Sequence, residues 1–164
     1  MAEIVRKSSE GGSDLSRFRA EIESGRRGDH PYLLLLGLEP MDTSRLVERV
    51  EEGLSFRELE RLMRNVGLSR EEVAGLVQIK PRTLDRRKKE GRLHSEESDR
   101  LLRVSRVFGN AIALFEGDTE AARGWLSSRQ RALGGAVPLG MAKTEIGARE
   151  VEGLIGRLEH GVFS

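Results

Sequence analysis

Residues 80–92, KPRTLDRRKKEGR, hold seven Lys or Arg against two acids, a surplus of five positive charges in a chain whose formal net charge is +1. Cations at this density neutralise phosphates, and an arginine fork can bridge guanine O6 and N7. On a helix, Arg82, Arg86 and Lys89 fall at i, i+4 and i+7 and share one face. Thr83, Arg87 and Glu90 take the neighbouring face. The plainer reading is a solvated charge run held by Asp85 with Lys88 or Lys89, each such pair contributing only about 0.2–0.5 kcal/mol. What precedes the run decides between the two.

Other chemistries find little support. His30, His94 and His160 lie far apart and form no metal-ligand spacing, and cysteine is absent, so thiolate sites and disulfides are excluded. No G-x-S-x-G elbow is present. Glu71-Glu72 and Glu96-Glu97 resemble catalytic carboxylate pairs, but both stand in helix first turns, where they complement the dipole. LGGAVPLG (133–140) lacks the Lys-Ser/Thr of a phosphate loop and reads as a close-packed connection. Aromatics make up 4% of the chain, too few for a large aromatic-lined pocket. We expect no enzyme, no cofactor and no metal.

The elements that must position the basic run are helical. Hydrophobic residues make up 37% and charged residues 34% of 164 positions, the balance of one modest globular domain. Asp42-Thr43-Ser44 caps a helix carrying Leu46, Val47 and Val50, which Gly53 closes. Ser55 opens a second, with Phe56, Leu59, Leu62, Met63 and Val66 as its inner stripe, stopped at Gly67. Ser69 and Glu72 form a capping box before a short helix with Val73, Ala74 and Val77. Pro81 fits the first turn of the basic helix, where a missing N–H costs nothing. A capped helix, a tight turn and an exposed basic helix anchored by Leu84 spell a helix-turn-helix, which favours DNA contact over a solvated run.

Ser95-Glu96-Glu97 is expected to cap the longest helix, whose Leu101, Val104, Phe108, Ala111 and Phe115 face inward. Asp118 or Thr119 starts the next, with Ala122, Trp125 and Leu126 inside. Thr144 starts the last, with Val151, Leu154, Ile155 and Leu158 inside. Gly147, Gly153 and Gly156 within that last helix each cost about 1 kcal/mol relative to Ala, which close packing on another helix or a partner would offset. Phe163 beyond the helix-stopping Gly161 admits two readings, a frayed end or a plug for a partner's cleft. No segment alternates like a strand, so the fold class is all-α. The apolar run at residues 32–36 is too short to span a bilayer, and the N-terminus has no signal core, so we expect a cytoplasmic protein.

In these strings the chain resembles the Xre/ParS-type antitoxins of RES–Xre toxin–antitoxin modules, a group that includes MbcA-like antitoxins. The resemblance runs through EEGLSF (51–56), LSREEVAGLVQI (68–79), PRTLDRRKKEGRL (81–93), EESDRLLRVSRV (96–107), AARGWL (121–126), LGGAVPL (133–139) and KTEIGAREVEGLIGRLEHGVF (143–163). It departs at Lys80, where such antitoxins usually have a capping Ser, and in SSRQR (127–131), which lacks their usual proline.

The resemblance implies a helix-turn-helix region followed by a small helical toxin-binding domain. The cognate partner would be a RES-domain toxin that consumes NAD, its NAD site obstructed by the antitoxin's C-terminal region, and the antitoxin would repress its own operon. Residues 1–29 precede the resemblance; mixed in charge, Ser and Gly, with Leu15, Phe18 and Ile22 able to form only a brief helix before Gly25 and Gly28, they are expected to form a flexible tail. The rest is expected to divide into a helical arm (30–53), the helix-turn-helix region (54–110) and the toxin-binding domain (111–164). Lys80, Arg82, Thr83, Arg86, Arg87 and Lys89 are the candidate operator contacts. Arg149, Glu152, Arg157, His160, Gly161, Val162, Phe163 and Ser164 are the candidate toxin contacts. A homodimer is expected, because paired half-sites supply the phosphate contacts that one small module lacks. The competing reading is a stand-alone regulator whose C-terminal helices only dimerise.

Overall fold

The computed structural model describes residues 2–25 and 28–161, with side chains from residue 12 onward. Nine α-helices follow one another among the described residues: α1 Ala2–Ser24, α2 Thr43–Glu52, α3 Phe56–Val66, α4 Arg70–Val77, α5 Pro81–Glu90, α6 Ser95–Leu114, α7 Thr119–Leu126, α8 Pro138–Met141 and α9 Glu145–Glu159. A 3-10 helix, Pro31–Leu36, joins α1 to α2, and the described residues form no strand beyond two isolated bridges.

The caps follow local chemistry. Asp42 accepts from the Arg45 amide at 2.9 Å, and Ser69 and Glu72 satisfy each other's amides at 3.1 and 2.7 Å. Asp118 accepts from the Ala121 amide at 3.0 Å and Thr144 from the Gly147 amide at 3.0 Å. One expected cap shifts by a residue. His94, not Ser95, occupies the cap position of α6, because Glu97 reaches back to accept the His94 amide at 2.7 Å.

The centre of the molecule is α6. It packs against the 3-10 helix, α9, α7, α4 and α2, and Leu101, Val104, Phe108 and Ala111 are all 0–1% exposed. Gly109 lets the 3-10 helix come close: a Cβ there would stand 2.9 Å from Tyr32 Cβ and 3.5 Å from Phe18. The five consecutive apolar residues 32–36 are all buried, which commits this run to the seam.

The N-terminal segment corrects the expectation of a flexible tail. Residues 2–24 form α1, which lies on the 3-10 helix and α3. Phe18 is 2% exposed, and the buried Asp14 accepts from Arg61 Nε at 3.1 Å and Asn65 Nδ2 at 3.2 Å. Arg19 donates to the Gly117 carbonyl at 2.9 Å. Burying Phe18 and pairing Asp14 outweigh the entropy of ordering a Ser- and Gly-rich segment. The helix still ends where glycine allows it, at Gly25 with φ +65°.

Two candidate interaction surfaces

The first surface is built by α4 and α5. Between them Gln78 adopts a left-handed conformation (φ +55°), Ile79 is buried, and Pro81 begins α5. Leu84, 1% exposed, anchors α5 in the same hydrophobic core that Val73 and Val77 of α4 enter. This anchoring turns Lys80, Arg82, Arg86, Lys88 and Lys89 to solvent and leaves Thr83 half-buried. Lys80 makes no capping hydrogen bond, as its side chain has no acceptor.

Arg87 does not join that set. It stands at i+3 from Leu84, on the anchored face, and its side chain is 6% exposed. Nε donates to Glu97 Oε1 at 2.7 Å, Nη1 to Glu90 at 3.3 Å, and Nη2 meets His94 Nδ1 at 3.0 Å. Burial pushes the Glu97 carboxyl up, but the Arg87 and His94 hydrogen bonds outweigh it and hold Glu97 below the ordinary carboxylate range. The residue expected to touch DNA instead locks α5 to the start of α6.

The second surface is the outer side of α9. Its inner side, Val151, Leu154 and Ile155, is buried as the periodicity requires. An ionic seam fastens it to α6: Glu145 accepts from Arg103 at 3.1 Å and Arg106 at 3.0 Å, and Glu152 accepts from Arg106 and, at 3.4 Å, from Asn110. Glu152, expected at the toxin interface, is therefore turned toward α6, where Arg106 neutralises it. Burial raises the Glu145 carboxyl, and its arginine hydrogen bonds more than reverse this, leaving it below the usual range.

Facing outward are Ile146, Arg149, Gly153, Arg157 and His160, at steps of 3, 4, 4 and 3. Sequence reasoning placed Arg149, Arg157 and His160 among candidate contacts and missed Ile146, which is 80% exposed. Its position on the same stripe as the two arginines was the available signal. Gly161 is exposed at the helix end with φ +65°, while Val162, Phe163 and Ser164 lie outside the described residues.

The three glycines of α9 separate cleanly. A Cβ at Gly147 would lie 1.9 Å from the Met141 carbonyl oxygen, so the turn out of α8 requires glycine there. At Gly156 a Cβ would meet nothing within 4 Å, and at Gly153 only the Arg157 guanidinium at 3.5 Å. Internal packing thus accounts for one of them. Among the described residues no group of three or more His, Asp or Glu is placed to hold a metal, and no helix is long and apolar enough to cross a membrane.

Comparison with known proteins follows the same division. Residues 45–106 match the family model of the antitoxin Xre-like helix-turn-helix domain, and residues 110–161 that of the antitoxin Xre/MbcA/ParS C-terminal toxin-binding domain. The protein named Antitoxin Xre from Yersinia enterocolitica serotype O:8 / biotype 1B is 38% identical over 130 residues, 79% of this chain and 88% of that one. Another named Antitoxin Xre, from Photorhabdus laumondii subsp. laumondii, is 34% identical over 116 residues, 70% of this chain and 78% of that one.

Proposed function

The chain belongs to the Xre/MbcA/ParS antitoxin family, and from that premise we propose that it neutralises a NAD-consuming RES-domain toxin and represses its own operon. The observation that carries the toxin half is the outer stripe of α9. Within the toxin-binding domain it offers one bare isoleucine and two exposed arginines, on a helix whose ionic seam with α6 fixes its position. Arg149 and Arg157 carry charge suited to the polar groups of a NAD site, and residues 160–164 are the segment we assign to obstructing it. Occupying the site with protein side chains excludes NAD without any catalysis by the antitoxin.

Deleting residues 160–164 is expected to abolish protection of cells expressing the cognate RES-domain toxin, while operator binding survives. Protection by the truncated chain would remove this segment from the inhibitory role. The exposed pair offers an independent check: Arg157→Glu with Arg149→Ala alters both charges, the second being the milder change because Arg149 also hydrogen-bonds Glu145 of the ionic seam at 3.4 Å. NAD consumption by the purified toxin should resume at antitoxin concentrations that silence it when the arginines are present.

For the operon half, α5 is the reading element, with Lys80, Arg82, Arg86 and Lys89 toward DNA and Thr83 at its margin. Two copies would bind paired half-sites. Arg82→Ala with Arg86→Ala is expected to weaken operator binding by about 1–3 kcal/mol for each base left unread. Toxin capture should be unchanged. Equal operator affinity in a mobility-shift titration would take α5 out of the DNA role.

A further inference from the structure

The outward face of α5 is not purely basic. At about 100° per residue, the stripe opposite Leu84 and Arg87 comprises Arg82, Asp85, Arg86 and Lys89, all exposed. A carboxylate therefore sits along the α4-facing margin of the surface proposed to enter the groove, between Arg82 and Arg86 in height along the helix axis. Arg70, the first residue of α4, pairs with Asp85 Oδ1, and among the described residues nothing engages Oδ2.

Two considerations separate this carboxylate from an incidental surface charge. First, the packing of α4 on α5 does not need it: Leu84, Val77, Ile79 and Ala74 are 0–6% exposed and already fix the two helices. The Asp85 and Arg70 side chains are 62% and 44% exposed, and ion pairs in that setting contribute little to stability. Second, a negative charge facing phosphates opposes binding to every sequence alike. In the major groove a carboxylate gains only where a base presents an amino donor, and cytosine N4 suits it better than adenine N6, whose neighbouring N7 acceptor repels it.

Resting on the DNA-contacting reading of α5, we infer that Asp85 is a specificity-determining residue that selects a cytosine in each half-site. Arg70 is its positioning residue. Holding Oδ1 fixes the carboxylate and leaves Oδ2 as the acceptor. Arg70 also cancels most of the repulsion that Asp85 would otherwise exert on the backbone. Arg82 and Arg86, one before and one after it along the axis, suit guanine, so the face reads mixed G and C content where a purely basic helix would read guanine alone.

The test is selection from a randomised duplex DNA library by the full chain and by the Asp85→Asn variant, whose exposed side chain keeps its size and loses its charge. The unaltered chain should enrich a motif with a cytosine preference of roughly tenfold at one position per half-site. Asp85→Asn should lose that preference alone, and its non-specific binding should show a salt slope steeper by about one. Arg70→Ala, which keeps the carboxylate and frees it, should weaken the same preference without shifting it to another position. Unchanged base preferences in Asp85→Asn would overturn the inference, since a purely structural link between α4 and α5 alters affinity for all sequences together. If the unaltered chain enriches no motif, the reading of α5 as a DNA-binding helix fails, and the role of Asp85 fails with it.

Discussion

Replacing Arg87 with Ala is expected to lower folding stability by about 3 kcal/mol, at the lower end of what breaking a buried ion pair costs. For a domain of this length that corresponds to a fall of roughly 6–12 °C in melting temperature. The loss arises less from the missing cation than from what it leaves behind: Glu97, 10% exposed at its side chain, keeps only the His94 amide as a partner. Arg82→Ala, on the solvated face of the same helix, should stay within about 0.5 kcal/mol of the parent. Calorimetry on the two variants side by side decides the matter, and equal melting temperatures would mean that the Arg87–Glu97 pair holds nothing together.

The same pair sets a direction in pH. The folded Glu97 carboxyl titrates below its unfolded value of about 4.3, so its contribution is present above that value and is lost as pH falls through the folded one. The gap between the parent and Arg87→Ala should accordingly narrow as pH is lowered from about 5 toward 3. Glu58, raised chiefly by burial despite the Ser55 amide and Arg49, works in the opposite sense. Its contribution is present below the unfolded value and lost as pH rises. It is common to both proteins, so it does not disturb their difference.

The second large effect belongs to Gly147. Alanine there would place its Cβ 1.9 Å from the Met141 carbonyl oxygen and 2.7 Å from the carbonyl carbon, backbone atoms that no rotamer change can move aside. Relief requires shifting α8 against α9, and we expect a loss of about 3 kcal/mol, the upper end for overpacked sites. Gly156→Ala is the matching control. Nothing stands in front of it, so it should gain up to about 1 kcal/mol from helix propensity alone. Denaturant midpoints moving in opposite directions are the expected result. A destabilised Gly156→Ala would show that α9 does not have the open surface described.

Much of the fold was legible because its signals are local. Ser69 with Glu72, Asp118 and Thr144 each cap a helix a few residues away, and the stripes of α6 and α9 repeat within a single helix. The all-α class, the helix-turn-helix and the family resemblance all rested on such short-range patterns. Arg87 was misplaced although the clue was local. Leu84 defines the anchored face, and i+3 lies on it, but spacing from Arg82 alone suggested a neighbouring exposed face. The docking of α1 and the inward turn of Glu152 had no such clue. Asp14 finds Arg61 47 positions away, and Glu152 finds Arg106 46 positions away, distances over which a single sequence carries no register. In residues 1–29 the helical spacing of Leu15, Phe18 and Ile22 spelled a brief helix ending at Gly25, but the Ser-, Gly- and charge-rich composition around it pointed to a tail, and tertiary burial of Phe18 overrode that.

Helix α6 runs unbroken from Ser95 to Leu114, whereas the two family matches meet inside it, one ending at 106 and the other starting at 110. The border between the helix-turn-helix match and the toxin-binding-domain match is thus a point on one rod and not a linker. An insertion of one residue at that point would rotate everything after it by about 100° and advance it by about 1.5 Å. The arginines at 103 and 106 would then address a different side of α9 from the one carrying Glu145 and Glu152. Exchange of toxin-binding domains between such antitoxins must therefore conserve both the phase and the length of the rod, since even a whole turn added at the border would slide Glu145 and Glu152 about 5.4 Å from Arg103 and Arg106. Among such antitoxins the spacing between the two domains should be fixed, a length rule set by geometry where a flexible joint would have left length free to drift.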